Sequence, residues 1–205
     1  HIDSVEVHRN TRRASVSFNF LREGQSIQTA YHILKRALGS DYQKILAAEK
    51  TIPGRLKKIV DTIEDISGLE HFGAYLTLLF EVDALIANED RHLNNIAILE
   101  ENGKYHYCPL FDNGEGLMLD NVKYPFDVET RGLMKHLRAK PFQCRFGTIL
   151  SAARDLYGAQ LKIVCSAAEV SEIAEKYLDW YQPMFRPFLK ERIVDVVLLQ
   201  MKKYF

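Results

Sequence analysis

The sequence predicts a mainly α-helical protein with a small β component. From residue 26 onward, apolar residues recur every three or four positions, which is the spacing of one face of an α-helix. Strict alternation of apolar and polar residues is limited to the first twenty positions and to the stretches around one Asn-Gly pair. The 205 residues are 47% hydrophobic and 26% charged, a balance typical of a globular protein rather than a disordered or fibrous one.

The N-terminal segment is predicted to be β structure. Residues 5–8 alternate in polarity, residues 9–13 are polar enough to form a turn, and residues 14–20 alternate again. Alternation over seven residues indicates a half-buried strand. The Arg-Glu-Gly triplet at 22–24 is expected to end it.

Four helical segments are predicted between residues 26 and 87. The first begins at Ser26 and stops at Gly39, because glycine commonly ends a helix. The second covers residues 46–50, and the third carries apolar residues at helical spacing as far as Gly68. The fourth, residues 72–87, is the most apolar and is therefore expected to be buried.

A β-hairpin and further helices complete the predicted fold. Residues 96–99 and 105–108 flank the sequence Glu101-Asn102-Gly103, and Asn-Gly between two such stretches is a strong hairpin signal. From Phe146 the chain is predicted to be mainly helical, ending in a long helix rich in core contacts. The hairpin thus lies inside a helical body.

The overall composition argues against several classes of function. The chain has 27 basic and 27 acidic residues, so it lacks the basic excess of a general nucleic-acid or membrane-surface binder. The longest nearly uncharged apolar stretch, residues 72–80, is too short to cross a bilayer. Three widely spaced cysteines without a Cys-x-x-Cys pair argue against a disulfide scaffold or a closed zinc site. We therefore expect a cytoplasmic protein with no direct nucleic-acid or membrane partner.

The residues that carry chemistry are concentrated in the loop 88–95. This segment holds two carboxylates, one imidazole and three amides, and it lies between the most apolar helix and the hairpin. Such a loop, held by a rigid element on each side, is a favourable place for a functional site. Because the hairpin reverses the chain, Asp112 is expected to return close to Asn95.

The spacing of these residues suits phosphoryl transfer. That reaction needs a group to orient the attacking hydroxyl and oxygen ligands for Mg²⁺. Protein kinases use an Asp, an Asn five residues later and a further Asp beyond a hairpin. Here Asn95 lies five residues after Asp90, and Asp112 follows after the predicted hairpin. The His-Arg-Asp order of ordinary kinases is reversed to Asp-Arg-His.

The pattern D-R-H-x-x-N, a hairpin and then F-D-N-G resembles the HipA-like serine/threonine kinases, whose atypical C-lobe is shared with the phosphatidylinositol kinases. The stretch Lys140-Pro141-Phe142 is also similar, and the resemblance spans roughly residues 14–200. It implies an atypical protein kinase-like C-lobe with a β-hairpin at the active site.

The resemblance also implies the roles of individual residues. Asp90 is the catalytic carboxylate, and Asn95 and Asp112 are the Mg²⁺ ligands in an ATP-dependent reaction. His92 either braces the loop or takes part in proton transfer, and the choice of base between Asp90 and His92 stays open. From the residues themselves, Arg91 is expected to brace the loop or to form an ion pair rather than to bind a phosphate. Asp83, seven residues before Asp90 in an apolar helix, is either a solvated or capped acid or a support for the loop, and the support is favoured.

The N-lobe of a kinase is the part that the sequence lacks. A Gly-rich loop and a strand Lys should precede the catalytic loop, yet the first Gly is Gly24 and the first Lys is Lys35. Residues 16–20 resemble the last N-lobe strand, so Phe18 and Phe20 are expected to lie at the adenine of the nucleotide. Residues 1–24 are then a remnant of the N-lobe and its hinge, and residues 25–205 are the C-lobe. The N-lobe is missing, is supplied by a separate polypeptide, or has been lost in a degenerate kinase.

Two functions follow from these features. The first is phosphotransfer from ATP to Ser or Thr of a protein substrate. The second is a non-catalytic, pseudokinase-like binding module, for example for an antitoxin-like DNA-binding protein, as in the toxin–antitoxin systems of HipA-like kinases. The retained Asp90, Asn95 and Asp112 favour the enzyme, because a scaffold has no need for clustered carboxylates that repel each other.

Overall fold

Two antiparallel strands begin the chain. The computed structural model describes residues 2–7, 10–15, 19–179 and 181–205. Strand β1 (Ile2–Val7) pairs with β2 (Asn10–Ser15) from Ile2 opposite Ser15 to Val7 opposite Asn10. The turn predicted for residues 9–13 is therefore wrong from residue 10 onward. Backbone hydrogen bonds form a two-stranded ladder whatever the side chains are, so a polar stretch pairs as well as an alternating one.

The predicted strand 14–20 is confirmed only at its beginning. Residues 14 and 15 belong to β2, residues 16–18 lie outside the described residues, and residues 19 and 20 have no regular structure. The part of the predicted hinge that can be described thus has no regular secondary structure and leads through a turn at residues 23–24 to the next strand.

A three-stranded antiparallel sheet holds the predicted hairpin in place. Strand β4 (Ala97–Glu101) is central, β5 (Lys104–Tyr107) is its hairpin partner, and β3 (Gln25–Thr29) pairs on its other side. The hairpin is confirmed, and Asn102 and Gly103 at its turn have φ values of 52° and 76°. Positive φ at both central residues is the requirement that makes Asn-Gly a hairpin turn.

The prediction that the first helix starts at Ser26 is wrong. Residues 25–29 form β3, and helix α1 (Ala30–Leu38) starts only after it. The side chain of Thr29 caps α1 by accepting a hydrogen bond from the backbone N–H of His32 at 3.3 Å. Strand β3 exists because it pairs with β4, about seventy residues later in the chain, and no local pattern reveals that partner.

The remaining helices follow the predicted order. They are α2 (Tyr42–Ala48), α3 (Ile52–Ser67), α4 (Phe72–Ile86), α5 (Thr130–Leu133), α6 (Phe146–Tyr157), α7 (Ala167–Leu178) and α8 (Arg186–Tyr204). Gly68 ends α3 in the left-handed conformation, and its N–H donates to the Glu64 carbonyl at 2.8 Å. The mainly helical fold with a small β component is confirmed.

Helix α4 lies at the centre of the core and carries the chain to the predicted site. It packs against α3, α6 and α8, and its residues Phe72, Leu76 and Phe80 are buried. The helix ends at Ala87, whose φ of 55° turns the backbone out of the helix directly before the loop 88–95. In the described part of the chain, no helix combines the length and hydrophobicity required to span a membrane.

Candidate active site

The loop 88–95 is fastened to the end of α4 by Asp83 and Asn88. Asn88 donates through its backbone N–H to the Asp83 carbonyl and through Nδ2 to Asp83 Oδ1, both at 2.8 Å. Asn88 Oδ1 accepts in turn from the backbone N–H of Asp90 at 3.2 Å. The Asn88 side chain thus links α4 to the backbone of Asp90, which fixes the position of Asp90.

Arg91 joins this loop to the segment that follows the hairpin. Its side chain is 1% exposed, and Nε and Nη2 each donate to one oxygen of Asp83 at 2.9 Å. Nη1 donates to the carbonyls of Asn95 at 2.9 Å and Phe111 at 2.7 Å, and Nη2 also donates to Asn113 Oδ1. Since one nitrogen binds both carbonyls, the backbone at 95 and the backbone at 111 converge. The predictions that Arg91 braces the loop and that Asp83 supports it are confirmed.

The Asp83–Arg91 pair is a buried ion pair. Burial raises the pKa of Asp83, and the hydrogen bonds from Arg91 and Asn88 oppose that rise. A bidentate guanidinium–carboxylate contact fixes the orientation of both groups as well as their charge. The pair therefore fixes the position of the loop 88–95 relative to α4.

Asp90 presents its carboxylate to an open cleft. The side chain is 31% exposed; Lys140 Nζ donates to Oδ1, and Oδ2 lies 3.8 Å from His92 Nε2. The Asp90 carbonyl accepts from Asn95 Nδ2 at 3.1 Å and from the backbone N–H of His92 at 2.7 Å. The backbone carbonyl of Asp90 is therefore bound by two donors, while no described residue donates a hydrogen bond to Oδ2.

Asn95 and Asp112 provide oxygens suitable for a hard cation. Asn95 is buried and uses Nδ2 on the Asp90 carbonyl, whereas no described residue donates a hydrogen bond to its Oδ1. Asp112 is exposed with φ of 54°, and its carboxylate has no hydrogen-bond or ion-pair partner among the described residues. The described residues contain no group of three or more His, Cys, Asp or Glu that could hold a metal by themselves. One amide and one carboxylate are nevertheless sufficient for Mg²⁺, which takes its other ligands from phosphates and water.

His92 makes few contacts through its ring. Nδ1 is buried without a hydrogen-bond partner in the described part of the chain, and Nε2 faces Asp90 at a distance longer than a hydrogen bond. The backbone of His92 contributes more to the loop, since its carbonyl accepts from the Asn95 N–H at 2.8 Å. Both predicted roles of the ring, bracing and proton transfer, stay predictions.

Phe20 lies beside the segment that contains Asp112. Its ring centroid is 6.2 Å from that of Phe111, with an angle of 32° between the planes, and Leu21 packs in the same small apolar cluster. Phe18 lies outside the described residues. Residue 20 of the predicted hinge and the predicted metal-binding segment are therefore neighbours.

A cleft of about 690 Å³ opens at Asp90 on the side of residues 115–143. Its charged lining consists of Glu89, Asp90, Glu115, Lys123, Arg138 and Lys140, together with His136. Its volume lies within the range of about 300–1,000 Å³ that is usual for ligand pockets. Because the residues that form the cleft are far apart in the chain, local sequence patterns did not predict it.

Glu89 links the loop 88–95 to other residues that line this cleft. Its carboxylate accepts hydrogen bonds from the Tyr124 hydroxyl, from Lys123 Nζ at 2.9 Å and from the backbone N–H of Arg138. Burial favours the protonated form of Glu89, but these three donors outweigh it and lower the pKa of the carboxyl. Burial and the contact with Glu89 raise the pKa of Tyr124 to about 12. Sequence analysis missed Glu89, whose only signal was its position next to Asp90.

Comparisons with protein-family models, with curated proteins and with solved structures find no match for this chain. The functional assignment therefore depends on the geometry of the residues described above. Lys140 is the second site residue whose contact the sequence did not predict, since a basic residue in this stretch is by default expected on a solvated surface.

Proposed function

We propose that this chain is the catalytic C-lobe of an atypical serine/threonine kinase of the HipA-like type. The observation that carries the proposal is the set of hydrogen bonds from Arg91, which bring the loop 88–95 and residues 111–113 into one rigid frame. An Asp, an Asn and a second Asp at kinase spacing then lie on a common support. Phosphoryl transfer depends mainly on positioning and electrostatic stabilisation, and such a frame provides positioning.

Asp90 is proposed to orient the acceptor hydroxyl. Asp90 lines the cleft and no described residue donates a hydrogen bond to its Oδ2, so this oxygen can accept the proton of a Ser or Thr hydroxyl that enters there. The backbone contacts of Asp90 with Asn95 and His92 keep the carboxylate in one place while the substrate binds.

Asn95 Oδ1 and the Asp112 carboxylate are proposed to hold Mg²⁺. When bound, the ion supplies positive charge against the phosphate oxygens of ATP. Asn95 Nδ2 donates to the Asp90 carbonyl, which fixes the amide orientation and leaves the oxygen as the free atom. Asp112 contributes the negative charge that retains the cation.

Phe20 is proposed to lie at the adenine, next to Phe111. A Gly-rich phosphate loop and a strand Lys are proposed to add further phosphate contacts from another segment of the same or a separate polypeptide, to a nucleotide for which Asn95, Asp112 and Phe20 already provide measurable affinity. The acceptor is proposed to be a protein segment in the cleft, and the cytoplasmic location inferred from cysteine usage is part of the same proposal.

Calorimetric titration with ATP and Mg²⁺ tests this function. We expect Mg²⁺-dependent binding in the parent chain and its loss in Asp112→Asn, because the variant removes the charged metal ligand. Asp65→Asn is the matched control, since Asp65 is an exposed acid on α3 away from the site. Binding that is absent in the parent, or equal in the parent and Asp112→Asn, would contradict the proposal.

Phosphotransfer by Asp90→Asn separates catalysis from binding. In the chain combined with the segment that supplies the phosphate loop, we expect Asp90→Asn to retain nucleotide binding and to lower turnover by about 10²–10⁴-fold, the usual contribution of a general base. Transfer of radiolabelled phosphate to a generic protein substrate measures it, and turnover equal to that of the parent would show that Asp90 has another role.

A binding module for a protein partner is the second candidate. An apolar groove of about 460 Å³ between α7 and α8 includes Ile173 and Tyr177, which are more than half exposed. Exposed apolar surface of this kind is typical of protein interfaces. An antitoxin-like DNA-binding protein is the partner proposed for this function, and an absence of nucleotide binding by the parent would favour it.

A further inference from the structure

Lys140 forms an ion pair with Asp90 across fifty residues of sequence. Its Nζ donates to Asp90 Oδ1, and both side chains line the cleft of about 690 Å³. The side chain of Lys140 is 37% exposed and that of Asp90 is 31% exposed. A substrate that enters the cleft therefore meets the carboxylate and the ammonium group together.

The position of Lys140 is set by its own backbone. Ala139 and Cys144 exchange two backbone hydrogen bonds, at 2.7 and 3.2 Å, and so close the short loop that contains Lys140. Leu137 and Ala139 are buried directly before it, and Phe142 packs against the main core. The structure thus anchors this lysine on both sides rather than leaving it on a free surface segment.

Stability alone gives a weak reason for this contact. Ion pairs with this degree of exposure contribute about 0–1 kcal/mol. Arg91, which is the cation within the loop 88–95, already uses all its N–H donors on Asp83, on two carbonyls and on Asn113. Arg91 is therefore not free to meet a phosphate, whereas the Lys140 ammonium carries two further donors and faces the cleft.

We propose that Lys140 is a further catalytic residue that binds the γ-phosphoryl group of ATP. The inference rests on the proposed function. Lys140 Nζ moves from Asp90 Oδ1 to a non-bridging oxygen of the γ-phosphate and remains protonated throughout. The acceptor hydroxyl oxygen forms a bond to the γ-phosphorus, and the bond from that phosphorus to the β,γ-bridging oxygen breaks. The electron pair leaves with ADP, and the hydroxyl proton passes to Asp90.

Comparing ATP with ADP tests this contact, because only ATP carries the γ-phosphate. Dissociation constants for MgATP and MgADP are measured by calorimetry for the parent, Lys140→Met and Lys140→Arg. We expect Lys140→Met to bind MgATP about tenfold more weakly, which corresponds to about 1.4 kcal/mol, with MgADP binding unchanged. We expect Lys140→Arg, which keeps the charge, to retain most of the preference for ATP. Lys135→Met removes an equal charge from an exposed position outside the cleft and should behave like the parent.

The outcomes distinguish this inference from the proposed function. If the parent binds MgATP and Lys140→Met retains the same preference for ATP over ADP, Lys140 does not contact the γ-phosphate and the inference is wrong. Higher phosphotransfer by Lys140→Met would also contradict it, because the lysine would then obstruct Asp90. If the parent binds no nucleotide, the proposed function fails first, and the role of Lys140 fails with it.

Discussion

At the scale of single residues, Arg91 connects the three segments that form the site. Its five N–H donors are all engaged, and its fork holds Asp83 at two points. Removing one partner of a buried pair leaves an uncompensated charge, which is costlier than losing the contact itself. The arrangement explains how a loop rich in polar groups keeps one conformation next to an apolar helix.

We expect Arg91→Ala to lower the free energy of unfolding by about 3–5 kcal/mol, because Asp83 is left charged and buried. Arg91→Lys should also destabilise the protein, since one ammonium group cannot reproduce the bidentate contact. Urea unfolding measures both changes. Arg36→Ala, an exposed change on α1, is the control and should stay within about 0.5 kcal/mol. If Arg91→Ala lowers the free energy of unfolding by less than about 1 kcal/mol, the pair does not hold the loop in place as inferred.

Glu89 gives a pH-dependent prediction. Its pKa is lowered in the folded protein, so its contribution is fully present above the unfolded value of about 4.5 and is lost as pH falls through the folded value. We expect Glu89→Gln to cost about 1–3 kcal/mol at pH 7, and we expect the difference from the parent to shrink between pH 5 and pH 3. Denaturant unfolding across this range, with Glu70→Gln as the exposed control, measures it. A difference that does not change with pH would be inconsistent with the proposed charge state.

At the scale of secondary-structure elements, the close contact between α4 and α6 depends on a glycine. Gly73 on α4 faces the ring of Tyr157 on α6, and a Cβ at position 73 would lie 2.3 Å from Tyr157 Cδ1. The two helices can approach this closely only because position 73 lacks a side chain. Glycine at this point therefore serves packing, although it lowers helix propensity.

We expect Gly73→Ala to destabilise the protein by about 1–3 kcal/mol, because overpacking outweighs the gain in helix propensity. Gly132→Ala is the matched control, since a Cβ on Gly132 of α5 meets nothing within 4 Å. Thermal and urea unfolding should therefore show a clear loss of stability in Gly73→Ala, and a much smaller change or a gain in Gly132→Ala. Equal stabilities would mean that Tyr157 moves aside without cost.

The element scale also shows which predictions depended on local signals. The hairpin and the C-terminal end of α3 were predicted correctly because Asn102-Gly103 and Gly68 have the positive φ values that those turns require. Strand β3 was missed because its apolar content is low and its partner β4 is remote in sequence. In the candidate site, the spacing of Asp90, Asn95 and Asp112 could be recognised in the sequence. The contacts of Glu89 and Lys140 could not, because they join chain segments that come together only on folding.

At the scale of the whole molecule, the proposed ligand should couple to stability. A ligand that binds only the folded state, present at one hundred times its dissociation constant, adds about 2.7 kcal/mol. For a chain of this size, we expect MgATP at that concentration to raise the melting temperature by about 5–10 °C. The rise should vanish with excess EDTA and in Asp112→Asn. A rise that persists in both would locate the nucleotide away from the proposed metal ligands.

The sequence by itself determined the mainly helical class, the hairpin, and the order and spacing of the polar residues in the loop 88–95. These features follow from periodicity and turn chemistry, which act over a few residues and are therefore visible in a single chain. Only the tertiary structure decided that β3 joins β4, that Arg91 links Asp83 to the segment 111–113, and that Lys140 meets Asp90. Such contacts depend on packing between remote segments, and local patterns do not specify which partner a polar side chain will find.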